Sequence, residues 1–216
     1  HEFRTPLNNL IGQTEILIMS ERSPAQYQEL LISNLEDYQR LKRMVDSMLF
    51  LARADTHNVL IHKQQIQVQS LLENVCNILQ YQAEEQSCKF VFRLEASELW
   101  ADLELVQQAL YNLISNALIH GGNHKTIYIN SNKKLINNTI MLVLSVTTSQ
   151  LEIPSEYLDH LFERFYQCNT SRNTYHRTGG LGLSIVASIM TLHQGTYHAF
   201  NSSEGICFEL CFPKAL

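Results

Sequence analysis

His1, Glu2 and Thr5 are the first residues whose types and spacing can do chemistry. On a helix, His1 and Thr5 stack on one face with Glu2 beside them. The Glu2 carboxylate can accept the proton on one ring nitrogen, which makes the other nitrogen of His1 a better nucleophile. The Thr5 hydroxyl, one turn on, can hold a water against anything covalently attached to that histidine. Pro6 then frees a backbone carbonyl and bends the helix. The same residues also suit a plain polar helix end, and alone they leave both readings open.

A second set lies in LVQQALYNLISNALIH, residues 105–120. Leu105, Ala109, Leu113 and Ala117 recur every fourth residue, with Val106, Leu110, Ile114 and Leu118 as the adjoining row. The opposite stripe is Gln108, Asn112, Asn116 and His120. Two carboxamides one turn apart can offer oxygens to a hard cation such as Mg²⁺, which keeps waters and binds phosphate as well. A solvated polar face is the ordinary alternative, although asparagine is a poor helix former and two in mid-helix are unexpected on that account.

A third set is TGGLGLSIVASIM, residues 178–190, with Gly179, Gly180 and Gly182 leading into an apolar helix. Backbone amides left open by glycine at a helix start suit a phosphate, though any tight turn uses the same residues. The preceding CNTSRNTYHR (168–177) is polar and poor in apolar anchors, the composition of a mobile lid. Arg172 and Arg177 within it can reach a phosphate, or stay solvated.

The elements that must position these groups follow from periodicity. Leu7, Leu10, Ile11, Thr14, Leu17 and Ile18 form one helical stripe; Leu31, Leu35, Tyr38, Leu41, Val45, Met48 and Ala52 form a second. Ser23 and Pro24 between them are a helix start. Two helices joined by a short turn make a hairpin, and one hairpin buries its apolar face poorly. Pairing with a second copy into a four-helix bundle solves this; packing on the rest of the same chain is the alternative. Residues 55–66 read as a linker or first strand. Helices follow near 68–85, 103–120, 155–162 and 181–193, with strands at 88–94, 126–132, 139–146, 195–201 and 205–212. This interleaving, with strands joined mainly by hairpins, predicts an α+β domain in which helices cover one sheet.

Composition narrows the class. The 216 residues carry 16 basic and 21 acidic side chains, a net charge of −5, which argues against nucleic acid as the main partner. No apolar run is long enough to cross a bilayer. The five cysteines are scattered, and Cys207 and Cys211 in one strand stand too far apart for a disulfide, which fits a reducing compartment. The nine histidines match no closed metal-ligand set. Natural chains do not begin on histidine, so the sequence reads as a piece of a longer protein.

HEFRTPL (1–7), NLISNALIH (112–120), LFERFY (161–166) and GGLGLSIV (179–186), in that order and spacing, resemble the H, N, F and second glycine boxes of bacterial sensor histidine kinases. The resemblance spans essentially the whole chain. The second helix looks most like the heavy-metal (copper and silver) sensing branch. The resemblance implies a helical hairpin forming a dimeric four-helix bundle over residues 1–55, a linker over 56–66, and an α+β sandwich ATP-binding domain of the histidine kinase, gyrase and Hsp90 type over 67–216. It implies that His1 takes the γ-phosphoryl group and passes it to a response-regulator aspartate, with Glu2 as acid–base partner and Thr5 orienting water for dephosphorylation. ATP and Mg²⁺ are the implied cofactors. Asn112, Asn116, His120, Thr148, Arg172, Gly179, Gly180, Gly182 and Leu183 would hold the nucleotide, with Asn116 as metal ligand and Phe162, Arg164 and Phe165 anchoring the lid. Such a chain would be the cytoplasmic portion of an inner-membrane protein that itself touches neither membrane nor nucleic acid.

The match departs at SVTTSQLEIPSEYL, residues 145–158. Where the family has an aspartate for the adenine amino group, this chain has Thr148; where it has two glycines, Gln150 and Glu152. Ile119 replaces a basic residue, His120 an aromatic one, and Thr178 the first glycine of the second glycine box. A neutral hydroxyl accepts a hydrogen bond less strongly than a carboxylate, which costs about 1–2 kcal/mol, roughly tenfold in affinity. Weak ATP binding is therefore expected. Two functions stay in view: an active histidine kinase, and a scaffold with a degenerate ATP site that only dephosphorylates a regulator through Thr5. A pure ATPase has no use for His1 and the hairpin.

Overall fold

The computed structural model describes residues 4–19, 21–56, 58–136, 139–168 and 180–213. The chain divides into two compact units, His1–Ala52 and Arg53–Leu216.

The first unit is a helical hairpin, α1 (Arg4–Met19) followed by α2 (Pro24–Asp55), whose last turn belongs to the second unit. Ser23 starts α2 as a capping box: its hydroxyl accepts the Gln26 amide at 3.4 Å and its own amide donates to Gln26 Oε1 at 3.1 Å. Across the hairpin Gln13 Nε2 donates to Ser33 Oγ at 3.4 Å. Leu10, Met44, Phe50 and Leu51 are buried. Much of the apolar stripe is not: Leu31, Leu35 and Tyr38 are 59%, 55% and 57% exposed.

In the second unit, β1 (Lys63–Gln67) pairs antiparallel with β3 (Glu98–Asp102) as a two-stranded ribbon. A five-stranded sheet has the order β2-β4-β5-β7-β6, with β2 (Lys89–Leu94), β4 (Thr126–Ile136), β5 (Thr139–Ser149), β6 (Thr196–Ser202) and β7 (Gly205–Pro213). β4–β5 and β6–β7 are hairpins, and β5 pairs antiparallel with β7. β2 runs parallel to β4, an exception to hairpin connection, because α4 (Leu103–Gly121) intervenes and returns the chain in the same direction.

The helices α3 (Val68–Glu85), α4 and α6 (Gly182–Leu192) pack side by side over the sheet. Their apolar faces close the core: Leu71, Leu72, Leu110, Ile114, Leu118, Ile189 and Met190 meet Ile127, Ile129, Leu144, Leu210 and Phe212, all almost fully buried. Both apolar rows of α4 lie within it, apart from the half-buried Leu105. Cys76 is buried in α3, and burial pushes its thiol up to about 12, so it stays protonated and inert. α5 (Ser155–Leu158) is a single turn, shorter than its sequence suggests, since the backbone from Asp159 onward turns repeatedly. The ribbon strand β3 is five residues long with alternating Leu99 and Ala101 inside, too short a signal to separate from a loop.

Candidate functional site

The polar stripe of α4 faces the start of α6. Asp102 caps α4, its Oδ1 accepting the Leu105 amide at 3.1 Å, and this sets the helix phase. Ten and fourteen residues on, Asn112 and Asn116 are half-buried. A Cβ placed on Gly182 would lie 3.7 Å from both Asn112 Oδ1 and Asn116 Nδ2, and 3.8 Å from Asn116 Oδ1. Gly182 is the first residue of α6, and the apolar side chain of its N-cap Leu181 makes no capping bond to the first amides. Among the described residues, Asn112 Nδ2 is buried without a hydrogen-bond partner. Open amides, an orphaned buried donor and two carboxamide oxygens thus converge on one spot. That donor set suits an anion with a hard, oxygen-loving cation, so Mg²⁺-bound phosphate fits the residues present.

The backbone on the other side of the spot is held tightly. Gly180 has φ +65° and Phe165 φ 63°, both in the left-handed region. The Phe165 amide donates to the Gly180 carbonyl at 2.9 Å. Phe162 packs its ring on Tyr197 at 4.6 Å and on Phe208 at 6.2 Å. Arg164 Nη2 donates to Asp55 Oδ1 at 2.6 Å within the second unit, and this contact holds the Asp55 carboxyl below its usual range. The stems on both sides of the glycine-rich segment are therefore fixed to the core and to each other.

At the C-terminal end of α4 the departures noted in the sequence have distinct fates. Thr148 is 1% exposed, on the core face of β5 between Ile127 and Ile206. Its methyl carbon would meet a Cβ on Gly121 at 2.8 Å, so Gly121 lets the helix end approach the strand. Gln150 holds φ 55°, the conformation for which glycine is suited, and its Oε1 accepts from Lys125 Nζ at 3.4 Å. Glu152 has no positive φ and is exposed. His120 lies exposed in the last turn of α4, and Leu183 is half-buried in the first turn of α6.

Of the site residues expected from sequence, Asn112, Asn116, Gly180 and Gly182 come together. Thr5 is exposed on α1 in the first unit. His1, Glu2, Arg172, Arg177, Thr178 and Gly179 lie outside the described residues. Sequence reasoning missed Asp102, whose position one residue before an apolar-periodic helix is a cap signal, and the Phe165–Gly180 clamp, which has no sequence signal beyond the glycine.

This geometry has counterparts. Residues 1–57 match the His Kinase A (phospho-acceptor) domain, and residues 101–216 match the histidine kinase-, DNA gyrase B-, and HSP90-like ATPase. The chain belongs to the sensor histidine kinase family. The chain is 37% identical over 215 residues to the sensor protein CzcS of Cupriavidus metallidurans, matching 99% of this chain and 44% of that one. To the sensor histidine kinase CusS of Escherichia coli K12 it is 32% identical over 213 residues, again 99% and 44%. It thus spans less than half the length of these curated relatives. Its fold is similar to that of the Acinetobacter baumannii histidine kinase AdeS, with a TM-score of 0.78 at 20% identity over 99% of this chain and 97% of that one. The residues matched by the ATPase family model fall within the second unit. No described helix is long and apolar enough to cross a membrane.

Proposed function

We propose that the chain is the phosphoacceptor and ATP-binding part of a two-component sensor kinase: it transfers the γ-phosphoryl group of ATP to His1 and then to an aspartate of a response-regulator receiver domain. The observation that carries the reading is the Asn112–Asn116 pair set against the open amides at Gly182, in a chain that also matches a phospho-acceptor domain. Mg²⁺ would be held by the Asn116 carboxamide oxygen, with Asn112 beside it, and would supply charge neutralisation on the phosphates. Amides at the start of α6, with Gly180 and Leu183 beside them, would cradle the phosphate chain, and Arg172 and Gly179 would complete it. His120 and Thr148 would line the base. Arg164 and the Phe162 and Phe165 backbone would hold the stem of the covering segment.

In the transfer step a neutral His1 attacks phosphorus in line with the departing β-phosphate oxygen. The N–P bond forms as the P–O bond breaks, and the electron pair leaves with ADP. Glu2 takes the proton from the other ring nitrogen, so the phosphorylated imidazole ends neutral. The regulator's aspartate then attacks the same phosphorus and the imidazole leaves, recovering its proton from Glu2. In a separate reaction Thr5 would orient a water that hydrolyses the regulator's aspartyl phosphate, releasing inorganic phosphate and the free carboxylate. Thr148 in place of a carboxylate supports low ATP affinity. The exposed stripe of Leu31, Leu35 and Tyr38 supports a homodimer formed through the hairpin, and the family resemblance implies a place on the cytoplasmic side of an inner-membrane protein.

The test is autophosphorylation with γ-labelled ATP and Mg²⁺ on wild type, His1→Ala and Thr148→Asp, in the chain extended upstream. Label in wild type, none in His1→Ala and more in Thr148→Asp is the expected result. Absence of label in wild type at millimolar ATP would replace the kinase with a regulator-dephosphorylating scaffold.

A further inference from the structure

The two helices that make the site run antiparallel. Gly182 at the start of α6 lies by Asn112 and Asn116, while His193 at its C-cap reaches Asp102 at the start of α4. His193 is 1% exposed, with its ring edge-on to Phe212 at 5.6 Å. Its Nδ1 is 2.8 Å from the Ile189 carbonyl, which can only accept, so Nδ1 carries the proton and Nε2 keeps a lone pair. That lone pair accepts the Asp102 amide at 3.0 Å. Asp102 Oδ1 caps α4 through the Leu105 amide at 3.1 Å, and its Oδ2 accepts the His62 amide at 2.8 Å.

Apolar packing between helices is not directional, so it limits sliding along the axis weakly, and a slip of one residue is only about 1.5 Å. A hydrogen bond from a fixed backbone amide to a buried ring nitrogen is directional and holds its length within a few tenths of an ångström. We propose that His193 is a positioning residue of the nucleotide site: its imidazole fixes the register of α6 along α4, and thereby sets Gly182 against Asn112 and Asn116 at the far end of the pair. This rests on the reading of that far end as the ATP site.

Three variants separate register from mere burial. Glutamine places its carboxamide oxygen where Nε2 stood and can accept from Asp102. Asparagine places its group where Nδ1 stood, keeps the bond to Ile189 and leaves the Asp102 amide unpaired. Phenylalanine keeps the packing and neither bond. His193→Gln should hold the KM for ATP within about threefold of wild type, while His193→Asn and His193→Phe raise it about tenfold with a smaller change in kcat. In ¹⁵N NMR spectra without nucleotide, the Gly182 amide and the Asn112 and Asn116 side-chain signals should stay in place in His193→Gln and move in His193→Asn. Equal KM values for His193→Gln and His193→Asn, KM values that merely follow melting temperature across the three, or unmoved signals in His193→Asn would each overturn the proposal. A wild type that binds no ATP would instead remove the ATP reading, and the NMR comparison would still decide the register.

Discussion

Phe165 and Gly180 face each other backbone to backbone: the Phe165 amide donates to the Gly180 carbonyl at 2.9 Å, and a Cβ on Gly180 would sit 2.8 Å from the Phe165 carbonyl carbon and 2.9 Å from the Tyr166 oxygen. There is no room for a side chain, and φ +65° disfavours one in any case. The clamp closes the chain on both sides of residues 169–179 beside the carboxamides of α4.

Gly180→Ala should therefore cost more than the left-handed strain of about 1–2 kcal/mol, because neighbouring backbone must also move. Isothermal titration should show ATP affinity down by at least tenfold, with circular dichroism unchanged in shape. Retained affinity would show that the clamp does not bear on the site.

Gln150 occupies the left-handed region without being glycine. Gln150→Gly relieves that strain and loses the exposed 3.4 Å contact to Lys125, while adding freedom to the unfolded chain. The net expectation is a gain of up to about 1 kcal/mol, about 2–4 °C in melting temperature for a unit of this size. A lowered melting temperature would mean that the Gln150 side chain does more than tolerate its position.

Leu35 is 55% exposed and lies outside the buried residues of its own hairpin, so Leu35→Glu should leave the monomer folded. In a bundle of two hairpins the same change buries an unpaired carboxylate at a cost of several kcal/mol. Sedimentation should show a dimer for wild type and a monomer for Leu35→Glu. A variant that still dimerises would move the interface elsewhere.

Burial holds the His193 imidazole below its usual 6.5; Lys63 pushes it the same way, against the Ile189 carbonyl bond and the Asp102 charge. A histidine whose folded value is depressed gives stability that is complete above the unfolded value and is lost as pH falls through and below it. Melting temperature should therefore decline from pH 7 to pH 5 more steeply in wild type than in His193→Gln. Parallel profiles would mean that another group governs the acid limb. His160 acts in the opposite sense, since the Glu163 carboxylate raises it, and it is common to both proteins.

Local rules were enough to place most of this molecule. The fourfold spacing of Val106, Leu110, Ile114 and Leu118 gave a helix with one buried side, alternation gave β4, and a short continuous apolar run gave β5, because each pattern depends only on local chain geometry. Ser23 and Pro24 marked the start of α2 for the same reason. The ribbon strand β3 escaped notice since its five residues carry too few alternations, and its partner β1 is 35 residues upstream. Asn112 and Asn116 were visible as a polar stripe, yet a stripe facing solvent and one facing a helix terminus are written identically in sequence.

The order of motifs determined the family, and with it the expectation that His1 and the glycine-rich helix serve one reaction. Tertiary structure alone decided what lies against what: that Gly182 opens between two carboxamides, that Gly180 has no space for a side chain, and that His193, one of nine histidines matching no metal-ligand set, reaches an amide 91 residues away. Those relations depend on contacts between segments far apart in the chain. No periodicity encodes them, because the energy that selects them arises only once the core has closed.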